Sequence, residues 1–455
     1  MLATMATKPE LFGTDGIRAV AGKYPLDHAT VQKIGSALGT VLKNSSTPVR
    51  VVLGKDTRES NEWISRALAN GLAETGAEVL DAGIITTPGV AYLTRQHGFS
   101  AGVMVSASHN PYEDNGIKIF ASSGTKLAAA QELEIEALIK TMADLPEGGV
   151  NSARVVPGWV DEYVDYLVNL IPAGLDFSRF RLVVDCANGS ATRVAPLLLA
   201  RLGIKSHFLN AKPTGQNINL NCGALQPEGL AEATRKSGAD LGVAFDGDAD
   251  RAIFATHEGL VAGGDHVLYT IAPFLHSQGS LKGRAVVGTL MTNLSLELDL
   301  AQQGIGLKRT AVGDKYVLEE MLRSGISLGG EASGHIIFSD LSLAGDGMIT
   351  LLEVLRLLAV SGKSFGELLR WYQPFPQLIR NVRVREKPPL EEIPSVARAI
   401  TNCCLKLGDR GRVVVRYSGT EPLARVMVEG ADATAVEDHT ALIAEAIEMA
   451  IGLGR

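Results

Sequence analysis

Ser108 is the first residue of this chain whose type and position suggest chemistry. It lies in residues 103–120, VMVSASHNPYEDNGIKIF, where an apolar run ends in a polar turn that also holds His109. Pro111 prevents simple continuation of a strand or a helix through this turn. A hydroxyl on a turn at the end of a buried strand can act as a nucleophile or carry a phosphate. The alternative is a Ser/Asn turn that only satisfies its own backbone.

The second candidate is the acidic stretch DGDADR at residues 246–251, between two apolar runs. Asp246, Asp248 and Asp250 alternate along one turn, and their carboxylates repel one another unless a cation lies between them. Hard oxygen ligands of this kind favour Mg²⁺ or Ca²⁺. Three carboxylates do not fill an octahedron, so a phosphate oxygen could complete the site, which links the loop to Ser108. A solvated acidic hairpin is the alternative.

Two glycine-rich turns follow, VGDKY at residues 312–316 and GGEASGH at residues 329–335. Glu331 and Ser333 are suited to hydrogen-bonding the hydroxyls of a sugar, whereas Lys315 and His335 could contact a phosphate or transfer a proton. Because His335 precedes an apolar run, it could equally be a core histidine whose hydrogen bonds are satisfied.

Two arginine-bearing turns could bind phosphate. FGTDGIR at residues 12–18 presents Arg18 on a tight loop, although an arginine after such a turn is often a solvated surface charge. RYSGTEPLAR at residues 416–425 offers backbone amides, hydroxyls and guanidinium groups to a phosphate that is only bound. A plain hairpin turn is its alternative. The candidate phosphate ligands in this second turn are Arg416, Ser418, Gly419, Thr420 and Arg425.

The elements that must position these turns repeat one pattern three times. A short apolar run, a helical segment and a second apolar run occur from residues 49 to 80, 182 to 209 and 285 to 309. Strand–helix–strand units build mostly parallel sheets covered by helices. After residue 371 the order becomes β, α, β, β, α. The sequence therefore predicts three tandem, related α/β domains with mixed, mostly parallel sheets and a C-terminal α+β domain, arranged around a central cleft.

Gly- and Pro-bearing stretches indicate where these domains meet. We expect the Ser108 turn in domain I, residues 1–157, and the candidate metal-binding loop in domain II, residues 158–257. The candidate sugar-binding turn GGEASGH falls in domain III, residues 258–372, and the candidate phosphate-binding turn RYSGTEPLAR in domain IV, residues 373–455.

Composition limits the class of protein. The 455 residues are 46% hydrophobic and 20% charged, which is typical of a globular chain with several cores. A formal net charge of −7 argues against a general nucleic-acid binder, which needs a basic face. No apolar run approaches the length of a membrane span, and residues 1–10 lack the apolar core of a signal peptide. We therefore expect a cytoplasmic protein with neither nucleic-acid nor membrane partners, present as a monomer or homodimer.

Five motifs in this order, FGTDGIR, SASHNP, DGDADR, GEASGH and RYSGTEP, closely resemble those of the α-D-phosphohexomutases. The resemblance covers residues 11–430. Four further stretches are similar to the bacterial members of the family that act on glucosamine phosphate. They are GIITTPGVAYLT at residue 83, NINLNCGALQPE at residue 217, GTLMTN at residue 288 and AVGDKYVLEEM at residue 311.

The resemblance implies a role for each candidate. Ser108 would be phosphorylated, first by a bisphosphate sugar or a kinase, and one Mg²⁺ per chain would be held by a phosphoserine oxygen and the three aspartates, beside Arg251. Lys118 would be the general acid/base, and nearby Arg18 is expected to lower its pKa. His109 and His335 would join Arg18 in catalysis. The residues expected to bind substrate are Arg251, Lys315, Glu331, Ser333, Arg416, Ser418, Gly419, Thr420 and Arg425.

The implied reaction interconverts the 6- and 1-phosphates of a hexosamine through a bound bisphosphate sugar, as amino-sugar nucleotide and cell-wall precursor synthesis requires. Three alternatives stay open at this point: a phosphomannomutase or phosphoglucomutase of the same family, a non-catalytic sugar-phosphate binding protein, and a metal-dependent phosphatase.

Overall fold

Four sheets, each with its own helices, make up the protein. The computed structural model describes residues 9–43, 48–143, 153–418 and 421–453. The sheets have seven, five, four and three strands, and they follow one another along the chain as the first to the fourth unit. The predicted fold class, three α/β units followed by an α+β unit, is confirmed.

The first unit is built on a mixed sheet of strand order β1-β2-β6-β5-β3-β4-β7. Its elements are β1 (Phe12–Gly13), β2 (Gly16–Val20), α1 (His28–Lys43), β3 (Arg50–Lys55), α2 (Asn61–Glu74), β4 (Glu78–Ile84), α3 (Thr87–Gln96), β5 (Ala101–Val105), β6 (Asp114–Ala121), α4 (Ala129–Thr141) and β7 (Ala153–Val155). Strands β3, β4, β5 and β7 are parallel, and β6 returns antiparallel beside β5. This return places the residues after β5 and those at the start of β6 at one edge of the sheet.

The second unit has the strand order β12-β11-β10-β8-β9. Its elements are α5 (Trp159–Asn169), β8 (Arg181–Asp185), α6 (Ala191–Arg201), β9 (Lys205–Leu209), α7 (Glu228–Ser237), β10 (Leu241–Phe245), β11 (Ala252–Thr256) and β12 (Val261–Ala262). Strand β12 pairs with β11, so residues 261–262 belong to the second sheet.

The third unit has the strand order β14-β13-β15-β16. Its elements are α8 (Gly264–Ser277), β13 (Ala285–Thr289), α9 (Leu294–Gln302), β14 (Gly306–Thr310), α10 (Asp314–Ser324), β15 (Leu328–Gly330), β16 (Ile336–Phe338), α11 (Gly347–Ser361) and α12 (Phe365–Leu369). One apolar core joins this unit to the second, and in it the rings of Phe254 and Phe365 lie 5.8 Å apart.

The fourth unit is an antiparallel sheet of order β17-β19-β18 packed against two helices. Its elements are β17 (Gln377–Arg383), α13 (Pro394–Leu407), β18 (Gly411–Tyr417), β19 (Leu423–Gly430) and α14 (Ala433–Ile451). The sequence pattern predicts a helix from residue 390, and this start is wrong. Residues Leu390–Glu392 form a 3₁₀ turn and the helix begins at Pro394, because a proline fits best in the first helical turn.

Burial explains why the candidate turns are held firmly. All five residues of β5 and all five of β10 are buried. A strand that is covered on both faces reads as a continuous apolar run, as these two do. The chain leaves each strand through a polar turn, so Ser108 and the three aspartates are carried by rigid supports. Among the described residues, no helix combines the length and the apolar character needed to cross a bilayer.

The junction between the third and fourth units contains a buried carboxyl group. Asp265 accepts a hydrogen bond from the backbone N–H of Asn293 at 2.9 Å, and its other oxygen is buried without a partner. Asn293 in turn exchanges two hydrogen bonds with the backbone of Phe375, in the segment that leads to β17. Burial raises the pKa of Asp265 to about 6.

Asp265→Asn should therefore change how stability depends on pH. A carboxyl group whose pKa is raised on folding stabilises the protein only while it is protonated, and this contribution is lost as the pH rises from about 4 through 6. At pH 8 the variant escapes the cost of a buried charge, by roughly 1–3 kcal/mol. We expect the thermal midpoint of the variant, relative to wild type, to rise between pH 5 and pH 8. The exposed Asp409→Asn is the control, and a difference independent of pH would contradict the expectation.

Candidate active site

Ser108 and the acidic loop meet across the boundary between the first two units. The Ser108 hydroxyl donates a hydrogen bond to Asp246 Oδ2 at 2.5 Å, although the two residues are 138 positions apart. Ser108 is buried, and its φ of 53° is in the left-handed region, which is uncommon for a residue other than glycine. The structure thus places the Ser108 hydroxyl in direct contact with the acidic loop. These are the two features that the sequence analysis proposes for the chemistry.

An arginine that the sequence analysis missed supports the Ser108 turn. Arg58 has no exposed side-chain surface, and its guanidinium donates to the backbone carbonyls of Ser108 and Asn110, each at 2.9 Å. It also donates to the carbonyls of Pro111 and Asp114. The available signal was DTR directly after strand β3, where a carboxylate and a guanidinium lie two residues apart.

Asp56 anchors this arginine. Its carboxylate accepts hydrogen bonds from Arg58 Nε at 3.0 Å and from the hydroxyl of Ser106 at 2.6 Å. The Ser106 hydroxyl in turn accepts the backbone N–H of Ser108 at 2.9 Å. The turn is therefore fixed by a buried polar network of the first unit, as a group that presents a reacting hydroxyl requires.

The acidic loop offers a site for a divalent cation. One carboxylate oxygen from each of Asp246, Asp248 and Asp250 lies within 4.8 Å of the others, and all three residues are buried. Asp248 Oδ1 and Asp250 Oδ1 are buried without a hydrogen-bond partner. Buried carboxylate oxygens in this arrangement suit a hard cation such as Mg²⁺. Burial, together with Asp250 and Asp248, raises the pKa of Asp246 well above its usual range.

Thr87, which the sequence analysis also missed, fixes the loop from the first unit. Its hydroxyl donates to Asp248 Oδ2 at 2.5 Å, and its backbone N–H donates to the carbonyl of Asp248 at 3.0 Å. The signal in the sequence was GIITTPG, where Thr86 caps the helix that begins at Thr87.

Lys118 lies among the carboxylates, as its proposed role requires, but its predicted pKa shift is wrong. The ammonium group is 2.7 Å from Asp248 Oδ2, 3.2 Å from Asp250 Oδ2 and 3.0 Å from Asp15 Oδ2. Burial alone would lower the pKa of Lys118, yet Asp15, Asp248 and Asp250 hold it well above the usual value. Arg18 opposes this shift and is outweighed.

A chain of ion pairs links the first unit to the third beside this lysine. Asp15 pairs with Arg18 and with Lys126, and Lys126 also pairs with Asp314 at the start of α10. Burial would raise the pKa of Asp15, but Lys118, Lys126 and Arg18 lower it instead. Lys126 and Asp314 carry no local signal of this role, because the residues with which they pair lie far away in sequence.

The two candidate histidines occupy different positions. His109 Nδ1 is 3.3 Å from the Ser108 hydroxyl oxygen, and burial with Arg251 and Arg18 lowers the pKa of His109 to about 4. His335 Nδ1 is 3.6 Å from Asp250 Oδ1, and Asp250 raises the pKa of His335 to about 9 despite burial. His335 thus faces the acidic loop from the third unit, and His109 alone stands beside the hydroxyl.

The remaining candidates from the second and third units lie in different surroundings. Arg251 Nε lies 3.9 Å from Asp246 Oδ2 and 3.8 Å from Asp250 Oδ1, so it belongs to the loop. Ser333 is partly exposed, and Glu331 accepts the backbone N–H of Gly313 at 3.0 Å. Lys315 instead pairs with Glu132 of α4 at 3.3 Å, which places its ammonium group against the first unit.

In the fourth unit, Arg416 and Arg425 are paired across strands β18 and β19. Arg425 donates to Glu421 at 3.1 Å, and its Nε is buried without a partner. Lys387, absent from the predicted set, donates to the backbone carbonyl of Ser418 at 2.7 Å. The other two candidates, Gly419 and Thr420, lie outside the described residues. The described part of this turn therefore concentrates positive charge, which suits an anion.

Comparisons with known proteins agree along nearly the whole chain. Models of the phosphoglucomutase/phosphomannomutase domains match residues 9–145 (alpha/beta/alpha domain I), 161–259 (domain II), 263–375 (domain III) and 380–446 (C-terminal domain). A phosphoglucosamine mutase of Koribacter versatilis is 51% identical, with 98% of each chain covered. One from Solibacter usitatus is 49% identical, covering 97% of this chain and 99% of its own.

Solved structures share the fold. A phosphoglucomutase/phosphomannomutase family protein of Burkholderia thailandensis superimposes with a TM-score of 0.81 at 24% identity, covering 96% of this chain and 97% of its own. An N-acetylphosphoglucosamine mutase of Aspergillus fumigatus, solved with GlcNAc-6P and magnesium, gives a TM-score of 0.67 at 19% identity and covers 97% and 96% of the two chains.

Proposed function

The chain belongs to the phosphoglucomutase/phosphomannomutase family, and we propose that it interconverts glucosamine 6-phosphate and glucosamine 1-phosphate. The observation that carries the proposal is the hydrogen bond of 2.5 Å between the Ser108 hydroxyl and Asp246. It joins the candidate phosphate carrier to a loop of three carboxylates, the arrangement that a phosphoryl transfer between enzyme and sugar requires.

Ser108 is the group that exchanges phosphate in this proposal. In its phosphorylated form it gives its phosphoryl group to the free hydroxyl of the sugar monophosphate, so one O–P bond forms and the serine O–P bond breaks. The resulting bisphosphate sugar turns end for end and returns its other phosphate to Ser108. Phosphate and protons balance over the cycle. A bisphosphate sugar or a kinase supplies the first phosphate.

Lys118 is the residue to which we assign the transfer of the proton: as a neutral amine it would take the proton of the sugar hydroxyl and pass it to the Ser108 oxygen that the phosphoryl group leaves. Its ammonium group is buried 2.7 Å from Asp248, close to the loop that faces Ser108. Asp15, Asp248 and Asp250 raise the pKa of Lys118, and Mg²⁺ bound to the acidic loop would offset part of their charge and favour the neutral amine. Arg18, paired with Asp15, and His109, beside the serine, are further proposed catalytic residues of the site.

The three aspartates would hold Mg²⁺ together with an oxygen of phosphorylated Ser108. Their unpartnered buried oxygens fit such an ion. When bound, the ion supplies positive charge that offsets the phosphate and the carboxylates. The Aspergillus relative solved with GlcNAc-6P and magnesium supports this assignment.

The fourth unit would bind the phosphate that is not being transferred. Arg416 and Arg425 project from paired strands beside Ser418, and we assign Gly419 and Thr420 to the same cradle. Glu331 and Ser333 of the third unit would contact the sugar hydroxyls. Two separate anion sites allow a bisphosphate to be held at one end while the other reacts.

Coupled assays with the 1-phosphates of glucosamine, glucose and mannose test the substrate. The identity of about one half to phosphoglucosamine mutases leads us to expect the highest kcat/KM with glucosamine 1-phosphate. A clear preference for the glucose or mannose phosphate would overturn the assignment of the sugar and leave the mutase chemistry intact. Release of inorganic phosphate faster than isomerisation would point to a phosphatase instead.

A further inference from the structure

We infer that Asn219 is a positioning residue for Ser108, reaching from the second unit to hold the backbone of the serine turn. The inference rests on the proposed role of Ser108 as phosphate carrier. Asn219 lies in NINLNCG, a stretch that the catalytic motifs do not include. Its side-chain amide donates both protons across the unit boundary, to the backbone carbonyls of Ser108 at 2.8 Å and Asn110 at 3.1 Å.

The same two carbonyls are held from the other side by the first unit. Arg58 Nη2 donates to the carbonyls of Ser108 and Asn110, each at 2.9 Å. A carbonyl oxygen has two lone pairs, so each of these oxygens is fully satisfied by one donor from each unit. The turn is therefore gripped between Arg58 and Asn219, and its position depends on both units at once.

The backbone of Ser108 needs such a grip. A serine at a φ of 53° occupies a left-handed region that is unfavourable for residues other than glycine, so its surroundings must hold it there. The approach of Gly247 adds to the constraint, because a side chain at that position would begin 2.5 Å from the Ser108 carbonyl oxygen. With its carbonyl fixed, the serine directs its hydroxyl at Asp246.

Asn219 is itself held rigidly enough to set a position. Its φ of 58° is left-handed, a conformation that asparagine adopts more readily than most residues. Its backbone N–H donates to the carbonyl of Ala187 at 2.9 Å, in the loop after β8. The Asn219 amide thus fixes the position of the serine turn of the first unit relative to the second unit. The second unit also carries the acidic loop.

Asn219→Gly removes the amide and keeps the left-handed backbone, so it is the variant that tests this role. We expect kcat to fall roughly 10- to 100-fold with KM nearly unchanged, since a small misplacement of a reacting group has costs of that size. The decisive readout is the single-turnover rate of phosphoryl transfer from phosphorylated Ser108 to glucosamine 1-phosphate, divided by the phosphorylated fraction from intact-mass measurement. Loss of folded protein alone would leave this normalised rate at the wild-type value.

Asn219→Asp provides a second variant of the same shape. A carboxylate there would face two carbonyl oxygens and the phosphoserine, so we expect a normalised rate no higher than that of Asn219→Gly. Asn221→Gly and Asn221→Asp are matched controls, because Asn221 is an exposed, left-handed residue of the same loop. A wild-type normalised rate in both Asn219 variants, or equal losses in the Asn221 controls, would overturn the inference.

This test separates two failures. If Ser108 carries no phosphate in an active wild-type enzyme, the proposed function itself is wrong, whatever the Asn219 variants do. If wild-type Ser108 is phosphorylated and transfers its phosphate, only the position-dependent rate in the Asn219 variants decides the inference.

Discussion

Replacing Ser108 by alanine should remove turnover, lowering kcat at least about a thousandfold, because it removes the hydroxyl that is proposed to carry the phosphate. The neighbouring Ser106 hydroxyl is committed to Asp56 at 2.6 Å. Coupled isomerisation assays measure the loss, and intact-mass measurement should show one phosphoryl group on the wild-type protein and none on Ser108→Ala. Ser108→Gly should behave alike, and glycine tolerates the left-handed backbone that alanine does not favour.

Ser122→Ala is the control for this pair. Ser122 is exposed on the turn after β6, and its loss should change neither kcat nor the phosphorylated mass. Isomerisation at wild-type rate by both Ser108 variants would refute a phosphoserine mechanism.

Neutralising the acidic loop should have the second largest effect. Asp248→Asn removes one of three charges that would hold Mg²⁺, and it brings an amide against Thr87 and Lys118. We expect kcat to fall roughly a hundred- to a thousandfold, the size of effect seen when a charge-stabilising group is lost from an active site. Isothermal titration with Mg²⁺ should show much weaker binding by the variant.

Chelation provides an independent measurement on the wild-type protein. Excess EDTA should abolish isomerisation, and added Mg²⁺ should restore it. Asp438→Asn, on the exposed face of α14, should retain both metal affinity and activity. Full activity in EDTA would exclude a metal that is required for isomerisation. Unchanged Mg²⁺ affinity in Asp248→Asn would exclude the acidic loop as the metal site.

The sequence predicts the strands and turns that carry the candidate residues, because a buried strand and a polar turn each appear as a local pattern of residue types. Strands β5 and β10 are continuous apolar runs, and the turns that follow them carry Ser108 and the three aspartates. Each turn joins two antiparallel neighbours, β5 to β6 and β10 to β11, and so lies at one edge of its sheet. The meeting of the two turns, with a hydrogen bond between Ser108 and Asp246, needs only that the two edges face each other.

What the sequence could not give are the partners that act across long separations. In the sequence Arg58 has the features of an ordinary basic residue. In the structure its guanidinium donates five hydrogen bonds, one to the Asp56 carboxylate and four to backbone carbonyls of residues 108–114. The pKa of Lys118 was expected to be lowered and is raised, since Asp15, which sits in the same motif as Arg18, is its nearby counter-charge. Lys315, for which phosphate binding stays a prediction, pairs with Glu132, which lies 183 positions away in sequence.

The hydrogen bond between Ser108 and Asp246 also has a consequence for how the protein is made. These residues are separated by 138 positions, so on a translating ribosome the serine turn emerges on the order of ten seconds before its carboxylate partner. Throughout that interval the turn lacks Asp246 and every proposed metal ligand of the second unit, and for most of it the turn also lacks the amide of Asn219. A growing chain therefore cannot carry out the proposed phosphoryl transfer to a sugar phosphate until the first two units have been synthesised and have docked.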